Sequence, residues 1–477
     1  MPDPTFALEV EWSVGSFTDV TSWVNRFNIQ RSRANLFDPL EPNRALVEFD
    51  NADARFSPLN AASPYAPDLL PRKALRINAT YTGSVFNLFR GSLTEISVRP
   101  GHGATALMAA EGVSAALGHA TVTTSLLANT NPASLFTEIM SASGVSSFYA
   151  DSFAEVIPYA WFRDKNVGNA LKELLEAGNY SLYEDGAGTV RMKNRYVGIG
   201  GTSVASYAEF LDVRFQNREA DVINQAKLQG NPMRLSSSVN TVAWLQEIVT
   251  VPASSHIGFW LAYVDPGEPR TYTPASSVTL PVASLDWFMN TASGGTGTDR
   301  TSTGSITGKA FGAAIVCSLF NGSGDKVFVT TFRVRGYGVT RQPPLLIETK
   351  NDSSQNVYGV KNMDLRSDFF SEREFLRDYA SHIVSGRKNP TALVSFSLKN
   401  QYPDVLQRDI NDLISLVEST SGINSQWLVK GISHEVSLVS GLEHSVTFNV
   451  EGSAVRPWLI LDHATDGKLD GTRELAF

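Results

Sequence analysis

The opening residues TFALEVEW alternate strictly, with Phe6, Leu8, Val10 and Trp12 on one side and Ala7, Glu9 and Glu11 on the other. A side-chain period of two belongs to a half-buried β-strand and does not fit an amphipathic helix. The pattern recurs along the next hundred residues. FTDVTSWV, FNIQRSR and LVEF follow as short strand-like pieces, and ALRINATY puts Leu75, Ile77, Ala79 and Tyr81 on one face. SVFNLFRGSLTEISV reads as two strands joined near Arg90-Gly91. Strands in close succession without crossover helices exclude a βαβ unit and leave an antiparallel barrel or sandwich.

Past Ala120 the texture changes. NPASLFTEIMSASG predicts a short helix with Pro132 near its start, and DKNVGNALKELLEAG a longer one. In the second, Val167, Ala170, Leu171, Leu174 and Leu175 recur at helical spacing and Gly178 is expected to stop the run. NYSLYEDGAGTVRMKNR predicts a hairpin turning at Asp185-Gly186. FLDVRFQNREADVINQAKLQGNP is a connector, and the region after it is again dominated by strands, with ASGGTGTDRTSTGSITG expected as a surface loop. Near the C-terminus, Ser371 and Glu374 have capping-box spacing, and Phe375, Leu376, Tyr379, Ala380 and Ile383 line one helical face before Gly386 and Pro390. TALVSFSL, DLISLV and QWLVKGISHEVSLVSGLEHSVTFNV close the fold as strands, with a tight reversal at Ser440-Gly441.

The expected fold class is therefore mainly β and multidomain, with tube-like antiparallel β-barrel domains near both ends, a small α+β unit and a β-sandwich-like middle. At 477 residues the chain exceeds one ordinary core. The expected division is 1–120, 121–206, 207–345, 346–450 and a C-terminal extension 451–477 too polar for its own core.

Composition removes several function classes. The single cysteine, Cys317 in AAIVCSLF, excludes a disulfide framework within the chain and reads as an inert core thiol. No charged leader with an apolar run follows Met1, and no apolar stretch approaches about 18 residues, so the chain is expected to fold in a cytoplasm. Net charge is −8, and the bases are scattered: Arg26, Arg31 and Arg33 early, Arg387 and Lys388 late. That is not the stripe of a nucleic-acid binder. It is compatible with a surface that DNA slides past.

Motifs of chemistry are equally sparse. No H-E-x-x-H, G-x-S-x-G or phosphate loop occurs, and GIGGTS lacks the third glycine of a dinucleotide loop. His434 and Glu435 with His444 span a hairpin and lack a fourth metal ligand. Asp50, Asn51 and Asp53 lack the glycine and terminal glutamate of a calcium loop. Glu9 and Glu11, at i and i+2, read as a solvated strand face before a hydrolytic pair. The expectation is no enzyme, no cofactor and no metal. Trp244, Trp260, Tyr263, Tyr272 and Trp287 crowd the middle region as candidate glycan contacts, with core packing as the competing reading.

One stretch stands out: LVEFDNADARFSPLNAASPY. It resembles the strand–loop signature of the tail-hub (minor tail, tail-tip) proteins of siphophages. The resemblance is carried by Asp50, Asn51, Arg55, Phe56, Ser57, Pro58, Leu59, Asn60, Ser63, Pro64 and Tyr65, then Pro71, Arg76-Ile77 and the LFRG of Leu88 to Gly91. Asp53-Ala54 stands where the family has Asp-Gly. SSQNVYGVKNMDL, SGRKNP, QWLVKGISHEVS and the final GKLDGTRELAF are similar to the family's closing region, so the resemblance covers about 1–120 and 346–477.

In such hubs three copies form a ring beneath the tail tube, and two tube-like barrels per chain match the sixfold tube. The resemblance thus implies a homotrimer at the distal end of a virion tail, assembled in the host cytoplasm. Its implied partners are a distal tail or tail tube protein, the tape-measure protein, a tail fibre or spike, and phage DNA passing without specific binding. The rival is a host-glycan-binding or wall-degrading tail-tip protein. The loop is expected to be architectural, with Asp50 and Asn51 capping backbone, Pro58 and Pro64 fixing φ, and Phe56 and Tyr65 as anchors. Glu9 and Glu11 are candidates for the lumen face, and Arg26, Arg31 and Arg33 are expected to meet a neighbour or the tube.

Overall fold

The computed structural model describes residues 3–153, 155–195, 201–265, 272–370, 372–452, 458–459 and 474–475. The chain is mainly β and multidomain, as its alternation requires. Ser371 and nearly all of the 451–477 extension lie outside the described residues.

The largest sheet joins the two ends of the chain. One half runs through Asp212–Asn217, Ala392–Lys399, Glu443–Gly452 and Ile423–Ser437. It continues without a break into Val24–Ala34, Arg44–Asp50, Thr105–Gly112, Ser84–Arg99, Ala74–Tyr81, Thr5–Ser13 and Ser16–Asp19. The seam is antiparallel: Ile29 lies opposite Ala45 on one side and His434 on the other. The two ends of the chain thus share one continuous sheet, and closure into barrels is not detected among the described residues. Its alternate side chains form a single core containing Leu8, Ile29, Val47, Ile77, Phe396, Ile432 and Phe448.

Two further cores flank it. α1 (Pro132–Ser143) and α2 (Val167–Gly178) pack with the three-stranded sheet Leu345–Lys350, Gln225–Gly230, Asn362–Ser367 and with α4 (Arg373–Arg387), α3 being the short Asp352–Tyr358. This core takes in Ala226 and Leu228, from within the stretch assigned to the middle region. The sandwich core proper begins near Val242 and ends near Val334.

Several local expectations need correction. Ser84–Arg99 is one strand with a bulge between Leu93 and Glu95. Gly91 is no turn: a Cβ there would lie 2.2 Å from the Glu111 carbonyl oxygen, so the residue permits close strand approach. Asn179, left-handed at φ 53°, rather than Gly178, caps α2. The 181–193 hairpin turns over five residues, with Asp185 N–H donating to the Thr189 carbonyl at 3.0 Å and Gly188 at φ 83°. α4 is capped at Glu372 without a side-chain bond, and Glu374 instead pairs with Arg377. The end of the expected surface loop, from Gly304 on, belongs to the strand Gly304–Ala310.

Candidate functional site

The loop after Arg44–Asp50 is built on a repeat of three. The N–H groups of Ala54, Ser57, Asn60, Ser63 and Ala66 donate to the carbonyls three residues earlier, at 2.9–3.2 Å. Pro58 and Pro64 occupy the second position of their turns, where a fixed φ near −65° is required. Buried Asn51 ties the spiral down, accepting from Phe56 N–H at 2.8 Å and donating to Ser57 Oγ at 3.0 Å. Asp50 accepts from Ala52 N–H, and Asn60 donates to the Ala54 carbonyl. Ala54 sits at φ 58°, a left-handed conformation that disfavours a Cβ.

Aromatic rings fasten the spiral to the sheet. Phe56 is fully buried, 4.6 Å from Phe49 and 5.6 Å from Tyr65 between ring centroids. Half-buried Tyr65 stacks on Trp12 at 5.0 Å, so the loop is joined to the first strand. The Arg55 guanidinium lies 3.9 Å over the Trp23 ring and also bonds Asp53, whose carboxyl it holds below its usual value. Pro58, Leu59 and Pro64 face outward. The loop's turns and rings hold it in one shape against the sheet.

Glu9 and Glu11 share the non-core face of Thr5–Ser13, but their charges are not equally free. Glu9 makes a two-pronged ion pair with Arg76, directly opposite on the next strand, at 2.6 and 2.9 Å. Glu11 accepts from Gly15 N–H at the hairpin turn. The early arginines correct their expectation. Arg31 is buried against Asp409 at 2.7 Å, and buried Arg33 pairs with Glu451 and Asn411. They lock the seam between chain ends. Of the three, only Arg26 is exposed, paired with Glu48 at 2.7 Å.

The five candidate glycan aromatics do not form one platform. Tyr263 and Trp287 belong to the sandwich core, and Trp244 is half-buried. Trp260 and Tyr272 are exposed, on a strand and at an isolated bridge respectively. Cys317 is buried there too, and burial pushes its thiol up to about 11.

At the seam, Tyr402 Oη lies 3.1 Å from His444 Nδ1, and His444 Nε2 lies 3.2 Å from His434 Nδ1. Both histidines are buried, while Glu435 points to the opposite, exposed side. Among the described residues no group of three or more metal-ligating side chains is found. Burial lowers His444 to about 4 and His434 well below its ordinary value. A neutral histidine–tyrosine chain in a core is a structural device.

No family model matches the chain, and no curated protein matches it by sequence. Solved structures do. The tail protein from Neisseria meningitidis superposes with a TM-score of 0.53 over 94% of this chain and 97% of its own, at 7% identity. The chain has the fold of a tail protein. A prophage tail protein from Shewanella oneidensis matches with a TM-score of 0.48 at 9% identity, covering 93% of this chain and 97% of its own. One from Listeria monocytogenes matches with a TM-score of 0.44 at 8% identity, covering 93% and 94%.

Proposed function

We propose that this chain is a structural, non-enzymatic protein of a phage tail. Three copies form a hub ring at the distal end, closing or guiding the DNA channel below the tube. A distal tail or tail tube protein lies above, the end of the tape-measure protein in the lumen, and a fibre or spike below. The observation that carries this reading is the likeness to the Neisseria tail protein over 94% of the chain. The Asp50–Tyr65 loop supports it by fastening strands to one another.

The lumen face is proposed to include Glu9 and Glu11. Since Arg76 compensates Glu9, Glu11 supplies the free charge. A basic lining would hold the duplex by counterion release, so an acidic or neutral one speeds its passage. An antibody to this chain, imaged on intact particles, should mark the distal end of the tail. Label on the capsid or along the tube would refute the placement.

A further inference from the structure

The sandwich carries an exposed sheet face with aromatic side chains at both ends. Strands Ser255–Ala262, Ala314–Asn321 and Gly304–Ala310 pair in perfect antiparallel register, with no bulge. Ile257, Phe259, Leu261, Ile315, Cys317, Leu319 and Ile306 point into the core. The alternate side chains form three cross-strand rows on the outside: His256–Phe320–Ser305, Gly258–Ser318–Thr307 and Trp260–Val316–Lys309. Trp260 is 65% exposed and stacks on Phe311, while His256 and Phe320 lie 4.6 Å apart between centroids. Two aromatic patches thus stand about 14 Å apart along the strand, four residues at about 3.4 Å each. Between them lies a floor of hydroxyl side chains.

Gly258 marks the floor. Glycine inside a strand weakens it, and usually a bulge or a close backbone contact explains its presence. Neither holds here: the register is regular, and a Cβ on Gly258 would meet nothing within 4 Å. Gly308, on the opposite edge strand and on the core side, does have a packing reason, since a Cβ would lie 2.5 Å from the Val316 carbonyl oxygen and 3.1 Å from Cys317 Sγ. The vacancy over Gly258 therefore opens outward, toward whatever approaches the face.

The geometry points to a saccharide-binding platform, with Trp260 and His256–Phe320 as the flanking rings and Thr307 and Ser318 as hydroxyl partners over the Gly258 depression. Apolar ring faces cover the C–H faces of a sugar, and a few placed polar groups orient it. Charge selects the class of saccharide: Lys309 is the one ordinarily ionised side chain in the three rows, so the face suits an uncharged glycan rather than nucleic acid or an acidic peptide. The site uses Trp260 alone of the aromatics that the sequence suggested, and it does not depend on the hub reading.

The test uses the full chain and neutral tetrasaccharides of glucose, galactose, rhamnose and N-acetylglucosamine, titrated with tryptophan fluorescence and calorimetry as readouts. At least one should bind saturably, Trp260→Ala should lower its affinity 10-fold or more, and Gly258→Val should lower it comparably. Gly258→Val should leave the unfolding midpoint unchanged or raised, because the space is open and β-branched residues suit strands. Failure of all four sugars to bind would overturn the proposal, as would binding insensitive to both substitutions. A change of oligomeric state on Trp260→Ala, without saccharide binding, would assign the face to a protein contact instead and equally overturn it.

Discussion

Replacing His444 with glutamine should flatten the acid limb of the stability profile. His444 is buried among Phe6, Tyr402 and His434, and burial lowers its pKa from 6.5 to about 4. In the unfolded chain the same ring takes up its proton near 6.5. Between those values the unfolded state binds one more proton than the folded state, so stability rises with pH through this window and is lost as pH falls through it. At 1.36 kcal/mol per unit the displacement corresponds to about 3 kcal/mol. His434, lowered by burial, then by His444 and then by Arg31, acts in the same direction. Urea unfolding of both proteins at steps from pH 7 to pH 4 measures the effect. The variant should start less stable, and the gap should close by about 3 kcal/mol as the acid limit is reached. Parallel curves across that window would show that His444 is not held neutral by the fold, and the argument would fail.

Four further outcomes follow from the loop and the first strand. Phe56→Ala should cost about 3–5 kcal/mol, because the cavity opens inside a ring stack that cannot close around it, and thermal unfolding will show it. Leu59→Ala, fully exposed on the same loop, should change the midpoint negligibly. Ala54→Gly should raise stability by up to about 1 kcal/mol by relieving the left-handed Cβ, offset in part by greater freedom of the unfolded chain; a loss on chemical denaturation would contradict the assigned φ of 58°. Glu11→Lys should slow DNA ejection from particles, most at low salt, with assembly intact, and ejection kinetics unchanged at every salt concentration would remove Glu11 from the lumen.

Much of the fold was legible because local period and burial agree. Phe6 to Trp12, Leu75 to Tyr81 and the apolar stripe of α2 all bury the face their spacing predicted. Errors arose where one residue type answers two demands. Arg90-Gly91 has the look of a turn, yet Gly91 is small because Glu111 passes close by. The pairing of Val24–Ala34 with Ile423–Ser437 has no local signature at all, since the residues lie some four hundred positions apart. That is why Arg31 and Arg33 looked like interface residues until Asp409 and Glu451 appeared beside them. In the loop, Asn51, Ser57, Asn60 and Ser63 fall at multiples of three, with Pro58 and Pro64 just after two of them, residue types that consecutive turns favour. The outer face of the sandwich was missed because counting aromatics favoured Tyr263 and Trp287, whereas register pairs His256 with Phe320 on that face and Phe311 joins it by stacking on Trp260.

The hub proposal stands or falls most directly on stoichiometry. Particles dissociated in mild denaturant, or the purified full chain at micromolar concentration, can be weighed intact by native mass spectrometry. The account predicts a species of three chains, persisting when Glu11 or Trp260 is substituted. A monomer at every concentration, or a hexamer, would contradict it.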